Sequence, residues 1–321
     1  MTESTAAKSS PPRRLSRRQF FRGAAIVGTG ATLVWAADAI FFEPWHPIVK
    51  RVAITLERLP AIFNDFTIAH LSDFHYHPFF TAKPIARAVL LVNQLEPDLI
   101  VLTGDFVTVP LLYSSERSSL HIKAQAEPCS ALLAGLHAKW GVVAILGNHD
   151  QDSQPDVVTE CLEAQRIKVL RNDAWSVEQS GARLWVVGTD DVLLRAVDLP
   201  RALRVVPPAE ATILLAHEPD FADVAANYPI DLQLSGHSHG GQVRLPVIGA
   251  PVLPELGRKY PWGLRRLRKM ALYTNAGIGT IRLPIRWNCP PEVTLLTLKA
   301  THNSYEEVSI RQDCAARIGE I

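Results

Sequence analysis

A chain of 321 residues with 47% hydrophobic and 20% charged residues can bury a sizeable core, as one large domain or two small ones, and is neither disordered nor fibrous by composition. Its formal net charge of +1 excludes the strong basic excess of a global nucleic-acid footprint, so no nucleic-acid partner is expected. The cysteines Cys129, Cys161, Cys289 and Cys314 are scattered, with no C-x-x-C pair. They read as buried thiols, which argues against a structural zinc held through sulfur, while any disulfide pairing stays open.

The first predicted element is an address. Residues 1–12 are rich in Ser, Thr and Ala and end in Pro11-Pro12, the composition of a disordered start. The run Ser16-Arg17-Arg18-Gln19-Phe20-Phe21 resembles a twin-arginine export signal, which implies the twin-arginine export machinery as a partner. The stretch Gly23 to Phe42, broken only by Asp38, fits the apolar region of such a signal. It also approaches the roughly 20 residues that cross a bilayer, so cleavage and retention as an anchor both stay open. The expected division is residues 1–44 as signal or anchor, 45–310 as one catalytic domain, and 311–321 as a tail. The expected location is the periplasm or the outer face of the cytoplasmic membrane.

Beyond residue 51, short apolar runs alternate with helical stretches. Strands are predicted at Thr67–Leu71, Asp98–Leu102, Val142–Leu146, Ala182–Val187, Ala211–Leu215, Asp231–Leu234, Met270–Thr274 and Val293–Leu298. Helices are predicted at Pro84–Leu95, Ser130–His137, Pro155–Gln165 and Pro219–Ala226, the first with Pro in its opening turn. Val107–Pro128 has little apolar periodicity and reads as a surface loop or lid. The order is that of an α/β protein whose later half is richer in strands.

Polar residues follow five of the predicted strands: Asp73 and His75, Asp105, Asn148-His149-Asp150, His217, and the run Gly236-His237-Ser238-His239-Gly240-Gly241-Gln242. Strand ends of an open α/β sheet share one edge, where distant segments converge. Asp, His and Asn offer oxygen and imidazole ligands without a thiolate, a set suited to manganese, iron, zinc or related divalent ions. A bridging Asp can hold two such ions roughly 3.5–4 Å apart. Asp150 reads either as a helix cap or as a group orienting His149. His46, His70, His77, His121, His137 and His302 read as surface or satisfied core residues.

On these motifs, in this order, the chain resembles the calcineurin-like metallophosphoesterase superfamily over nearly all of Phe66 to Leu298. Ser72-Asp73-Phe74-His75, His217-Glu218-Pro219-Asp220 and Asn288-Cys289-Pro290-Pro291-Glu292-Val293 point to its exported or membrane-associated bacterial branch. That branch includes phosphodiesterases and enzymes resembling UDP-2,3-diacylglucosamine pyrophosphatase. The resemblance implies a four-layer α/β/β/α sandwich and two divalent metal ions. One ion would take Asp73, His75 and His239, the other Asn148, His217 and His237, with Asp105 between them. His149 would be the catalytic histidine, contacting the phosphate and helping to protonate the leaving oxygen.

The implied activity is hydrolysis of phosphodiester or pyrophosphate bonds in an envelope or membrane-linked substrate. A broad phosphomonoesterase or nucleotide phosphodiesterase would present the same motifs. A non-catalytic, metal-dependent envelope-binding protein is the third reading. The basic stretch from Arg258 to Lys269, with Tyr260 and Trp262 interleaved, suits a phosphate headgroup or anionic lipid, or else a solvated hairpin. Arg282 and Arg286 are further candidates to face the cleft.

Overall fold

The computed structural model describes residues 16–109 and 115–301. In chain order the elements are α1 (Arg17–Ala37), β1 (Ile48–Leu56), β2 (Thr67–Leu71), α2 (Ala82–Leu95), β3 (Leu99–Leu102), α3 (Ser115–Leu133), β4 (Val142–Ala144), α4 (Asn148–Gln151), α5 (Pro155–Glu163) and β5 (Lys168–Val169). There follow β6 (Asp173–Gln179), β7 (Ala182–Gly188), α6 (Leu199–Ala202), β8 (Ala211–Leu215), α7 (Ala222–Ala225), β9 (Leu232–Ser235), β10 (Gly263–Leu267), β11 (Met270–Thr274) and β12 (Glu292–Ala300).

Two six-stranded sheets result, in the orders β1-β12-β2-β3-β4-β5 and β10-β11-β9-β8-β7-β6. Strands such as β3, Leu-Ile-Val-Leu and buried throughout, are apolar on both faces because each face meets another layer. Ile68, Leu99, Val101, Ile213 and Leu234 fill the space between the sheets. On the outer face of the first sheet, α2, α3 and α5 bury Ile85, Ile122 and Leu162. On the outer face of the second, α6 and α7 bury Leu199 and Ala225. The layers run α/β/β/α, as the resemblance implied.

Several elements differ from their sequence reading. The predicted convergence on one edge of an open sheet is instead a convergence of two sheets. Residues 115–128, read as loop, belong to α3, although Pro128 lies inside it. Its buried stripe is Ile122, Ala126, Cys129 and Leu133, helically spaced but half built from small residues. Strand β1 gave no turn signal of its own and is fixed by parallel pairing with β12, Ile48 opposite Glu292. The signal-like run opens α1, where Ser16 and Gln19 cap each other reciprocally. Among the described residues, no helix is long and apolar enough to cross a membrane. Cys129, Cys161 and Cys289 are free thiols; residues 1–15, His302, Cys314 and the expected tail lie outside the described residues.

Candidate metal centre

Each predicted ligand leaves the C-terminal end of a strand. Asp73 and His75 follow β2, Asp105 follows β3, Asn148 and His149 open α4 after β4, His217 follows β8, and His237 and His239 follow β9. The chain turns sharply at these ends. Asp73, His75, Asp105, His237 and His239 all hold positive φ, between 41° and 66°, strain of the kind that persists where surrounding structure enforces it. Two glycines make the approach possible. A Cβ on Gly147 would lie 2.3 Å from Asp105 Oδ1, and one on Gly236 would lie 1.8 Å from Ser72 Oγ.

The side chains assemble into two groups, each with its ligand atoms within 4.8 Å of one another: Asp73, His75 and His239, and Asp105, His217 and His237. A third grouping of the same span joins His149 to His75 and Asp105. Asp105 stands between the groups. Its Oδ1 accepts the His149 backbone N–H at 2.9 Å. Its Oδ2 faces His75 Nε2 at 3.3 Å and His217 Nε2 at 3.2 Å, so one oxygen addresses both sides. Asp73 accepts the His237 backbone N–H and turns Oδ1 toward His239 Nε2 at 3.4 Å.

Partners on the far side of three of the rings fix which nitrogen faces inward. A carbonyl can only accept, so His217 Nδ1 donates to Thr103 O at 2.6 Å and His237 Nε2 donates to Glu255 O at 2.7 Å. His75 Nδ1 meets Thr108 Oγ1 at 3.1 Å, and Gln125 of α3 holds Thr108 by both backbone groups. The inward atoms are then acceptors facing acceptors. His237 Nδ1 lies 3.0 Å from Asn148 Oδ1 and His75 Nε2 lies 3.0 Å from His239 Nε2, while His217 Nε2 is buried without a hydrogen-bond partner. Such an arrangement is unfavourable unless cations sit among the lone pairs, and imidazoles held by outer carbonyls suit divalent metals. The residues present fit the two ions that the sequence motifs imply.

The electrostatics agree. Burial alone would raise Asp105, but His217 and His149 outweigh it and hold the carboxyl well below its usual range. Burial likewise opposes His217, yet Asp105 and Asp73 push it well above its usual value, a proton here standing where a metal cation fits. Burial lowers His237 and His149, each to about 4, so both rings are neutral near pH 7. His149 Nδ1 accepts the Val109 N–H at 3.1 Å, leaving the ring proton on Nε2.

The other sequence candidates are placed differently. Asp150 does not orient the His149 ring. Its carboxylate accepts the N–H groups of Gly147, Asp105, Phe106 and Val107 at 2.8–3.1 Å, pinning the β3 loop to the start of α4. Arg286 does not face the cleft; it is fully buried and donates to the carbonyls of Ala276, Gly277, Gly279 and Cys289. The basic stretch is an edge hairpin of the second sheet, with Lys259 on Asp223, Arg268 on Asn227 and Lys269 on Glu57. Arg282 is exposed, and its charge reaches His149. Thr103, Thr108 and Glu255 orient ligands but carry no motif; two of them act through backbone carbonyls, which any residue supplies.

A family model described as calcineurin-like phosphoesterase matches residues 66–241, the span that carries every one of the proposed ligands. The chain is 33% identical over 295 residues to the uncharacterized metallophosphoesterase YkuE of Bacillus subtilis, covering 90% of this chain and 100% of that protein. It is 32% identical over 295 residues to phosphodiesterase YaeI of Escherichia coli, covering 88% and 99%. Among solved structures it is similar to a 5'-nucleotidase precursor from Thermus thermophilus, at 15% identity and a TM-score of 0.46 over 72% of this chain and 54% of the other.

Proposed function

The chain belongs to the calcineurin-like phosphoesterase family, and from that premise we propose a binuclear, metal-dependent phosphodiesterase acting on phosphodiester or pyrophosphate bonds. The observation that carries this reading is the set of buried inward acceptors around Asp105 Oδ2. Asp73, His75 and His239 would hold one divalent ion, and Asn148, His217 and His237 the other, with Asp105 shared. When bound, such ions polarise phosphoryl oxygens and lower the pKa of water toward neutrality; the imidazole–carboxylate set suits manganese, iron or zinc.

The protein supplies position and one hydrogen bond. Thr103, Thr108 and Glu255 hold the rings of His217, His75 and His237, so ligand geometry is set before substrate arrives. His149, neutral with its proton on Nε2, would donate a hydrogen bond to a phosphoryl or leaving oxygen. That makes it an electrostatic stabiliser rather than an imidazolium acid, the contribution of a preorganised donor.

The similarity to a phosphodiesterase favours diesters over monoesters. Hydrolysis of bis-p-nitrophenyl phosphate and p-nitrophenyl phosphate by the reconstituted protein tests this. A rate ratio favouring the monoester would replace the reading by a phosphomonoesterase, and inertness toward both with metals bound would favour a binding protein. We further read Ser16 to Phe21 as an export address ahead of a catalytic domain at residues 45–310, with an envelope or membrane-linked substrate. Periplasmic recovery that is lost on replacing Arg17-Arg18 by Lys-Lys is the expected outcome, and unchanged recovery would contradict it.

A further inference from the structure

Segments far apart in sequence are tied into one face beside the metal cluster. Just beyond α1, the Glu43 carboxylate accepts the backbone N–H groups of Asn288 and Cys289 at 2.9 and 2.5 Å, and Ala39 O accepts that of Arg286 at 3.0 Å. Trp35 packs edge-on against Trp287, centroids 4.2 Å apart. Trp287 donates its backbone N–H to Gln242 O at 2.8 Å and accepts from Arg244 N at 2.9 Å, and Gln242 lies three residues beyond His239. The chain then closes a small hairpin, in which Leu245 and Gly249 exchange backbone hydrogen bonds at 2.9 Å each. Ala250 folds back so tightly that a Cβ on Gly241 would lie 2.2 Å from its own.

What this framework presents to solvent is apolar. Val247 is fully exposed and Ile248 is 73% exposed at the hairpin tip, with Val252, Leu283 and Phe41 at 69%, 61% and 75% on the adjoining segments. Val247 also holds a φ of 69°, a conformation unfavourable for a β-branched residue. A strained turn that leaves two aliphatic side chains in water runs against what stability of the isolated protein would select. The charge beside this face is basic: Arg282 adjoins Leu283 and is exposed, and α1, which meets the face at Trp35, exposes Arg17, Arg18 and Arg22 further along its length.

We propose that this face docks on an anionic lipid bilayer, with the hairpin 245–249 dipping into the interface and the arginines meeting lipid phosphates. A protruding tip of two aliphatic residues offers too little area for a stable protein interface, whereas shallow apolar insertion beside basic charge is the chemistry of interfacial membrane binding. Because the hairpin springs from the turn bearing His237 and His239, docking would set the metal cluster close to the lipid surface. It follows, on the hydrolase reading alone, that the substrate class is phosphoesters carried at a membrane surface.

The test uses the full chain with vesicles of phosphatidylcholine, with and without phosphatidylglycerol. Wild type is expected to co-sediment with the anionic vesicles and to be released by salt. The double variant Val247→Asp, Ile248→Asp is expected to lower the bound fraction about tenfold, with unchanged hydrolysis of bis-p-nitrophenyl phosphate in solution. Leu283→Asp, on a separate segment, should weaken binding in the same direction and serves if the hairpin variant fails to fold. Absence of wild-type binding overturns the proposal, as does equal binding by wild type and variants, which would assign the contact to α1 alone. A wild-type dimer abolished by the hairpin substitutions would overturn it too, by giving the face to a second copy. A wild type inert toward the soluble diester would instead count against the hydrolase reading and leave the vesicle result standing.

Discussion

Two kinds of buried polar cluster lie side by side in this molecule, and their hydrogen bonding sets them apart. Around Asp150 and Arg286 every charge is closed: one carboxylate meets four backbone N–H groups, and one guanidinium meets four carbonyls. Around Asp105, carboxylate and imidazole acceptors face one another, and ring nitrogens are left without partners. Burial and ionisable residues are common to both, so neither identifies a functional site. Acceptors that converge on one point with no donor between them do, because a buried polar group without a partner costs free energy unless something outside the chain supplies it. The closed clusters belong to the fold; the open one fits divalent cations.

Substitutions should separate the two clusters in kind. The largest effect is expected from Asp105→Ala, which removes the oxygen shared by both metal groups. Turnover on a diester should fall by about 10³-fold or more, with a melting curve showing that the chain remains folded. Arg286→Met should act in the opposite sense, leaving carbonyls unpaired and destabilising the fold by about 3 kcal/mol in denaturant unfolding. If Arg286→Met instead cut activity at unchanged stability, the division between closed and open clusters would fail.

A smaller effect is expected of His149→Ala: turnover lower by about 10²-fold, with metal content near wild type. Loss of metal in that variant would make His149 a ligand, in line with its proximity to His75 and Asp105. The smallest effect lies outside the ligand set, in a closed pair. Burial raises Glu292, but Lys50 at 2.5 Å, Trp262 and Tyr273 outweigh it and hold the carboxyl below its usual range. A depressed carboxylate contributes stability that is present above its unfolded pKa, about 4.3, and is lost as pH falls through the folded value. Glu292→Gln should therefore destabilise by about 2 kcal/mol at pH 7, and the gap to wild type should shrink below about pH 4. A gap that stayed constant to about pH 3 would contradict the pairing.

These contrasts also explain what the sequence could reveal. Ligand side chains stand directly after apolar strands, and Asp105, Asn148 and His237 each follow a glycine, so Asp73, Asp105, Asn148 and the His237–His239 turn are legible one by one. Their outer partners are not: Thr103 and Glu255 contribute carbonyls, which leave no trace in residue type. Arg286 reads as a cleft residue because nothing local announces the carbonyl cage that encloses it. The helix over residues 115–133 is hidden for a different reason, since Ala126 and Cys129 weaken an apolar stripe that spacing alone would show. The pairing of β1 with β12 joins residues 48 and 292, and only the folded sheet brings them together. The mutual approach of two sheets is equally absent from any local pattern.

The central claim is that the open cluster holds two divalent ions through a shared Asp105. Its most direct test is a calorimetric titration of chelator-stripped, full-length protein with manganese, beside Asp105→Ala. The account predicts two ions bound per chain and a large loss of that binding in the variant. No uptake by wild type, or uptake unchanged by Asp105→Ala, would contradict it.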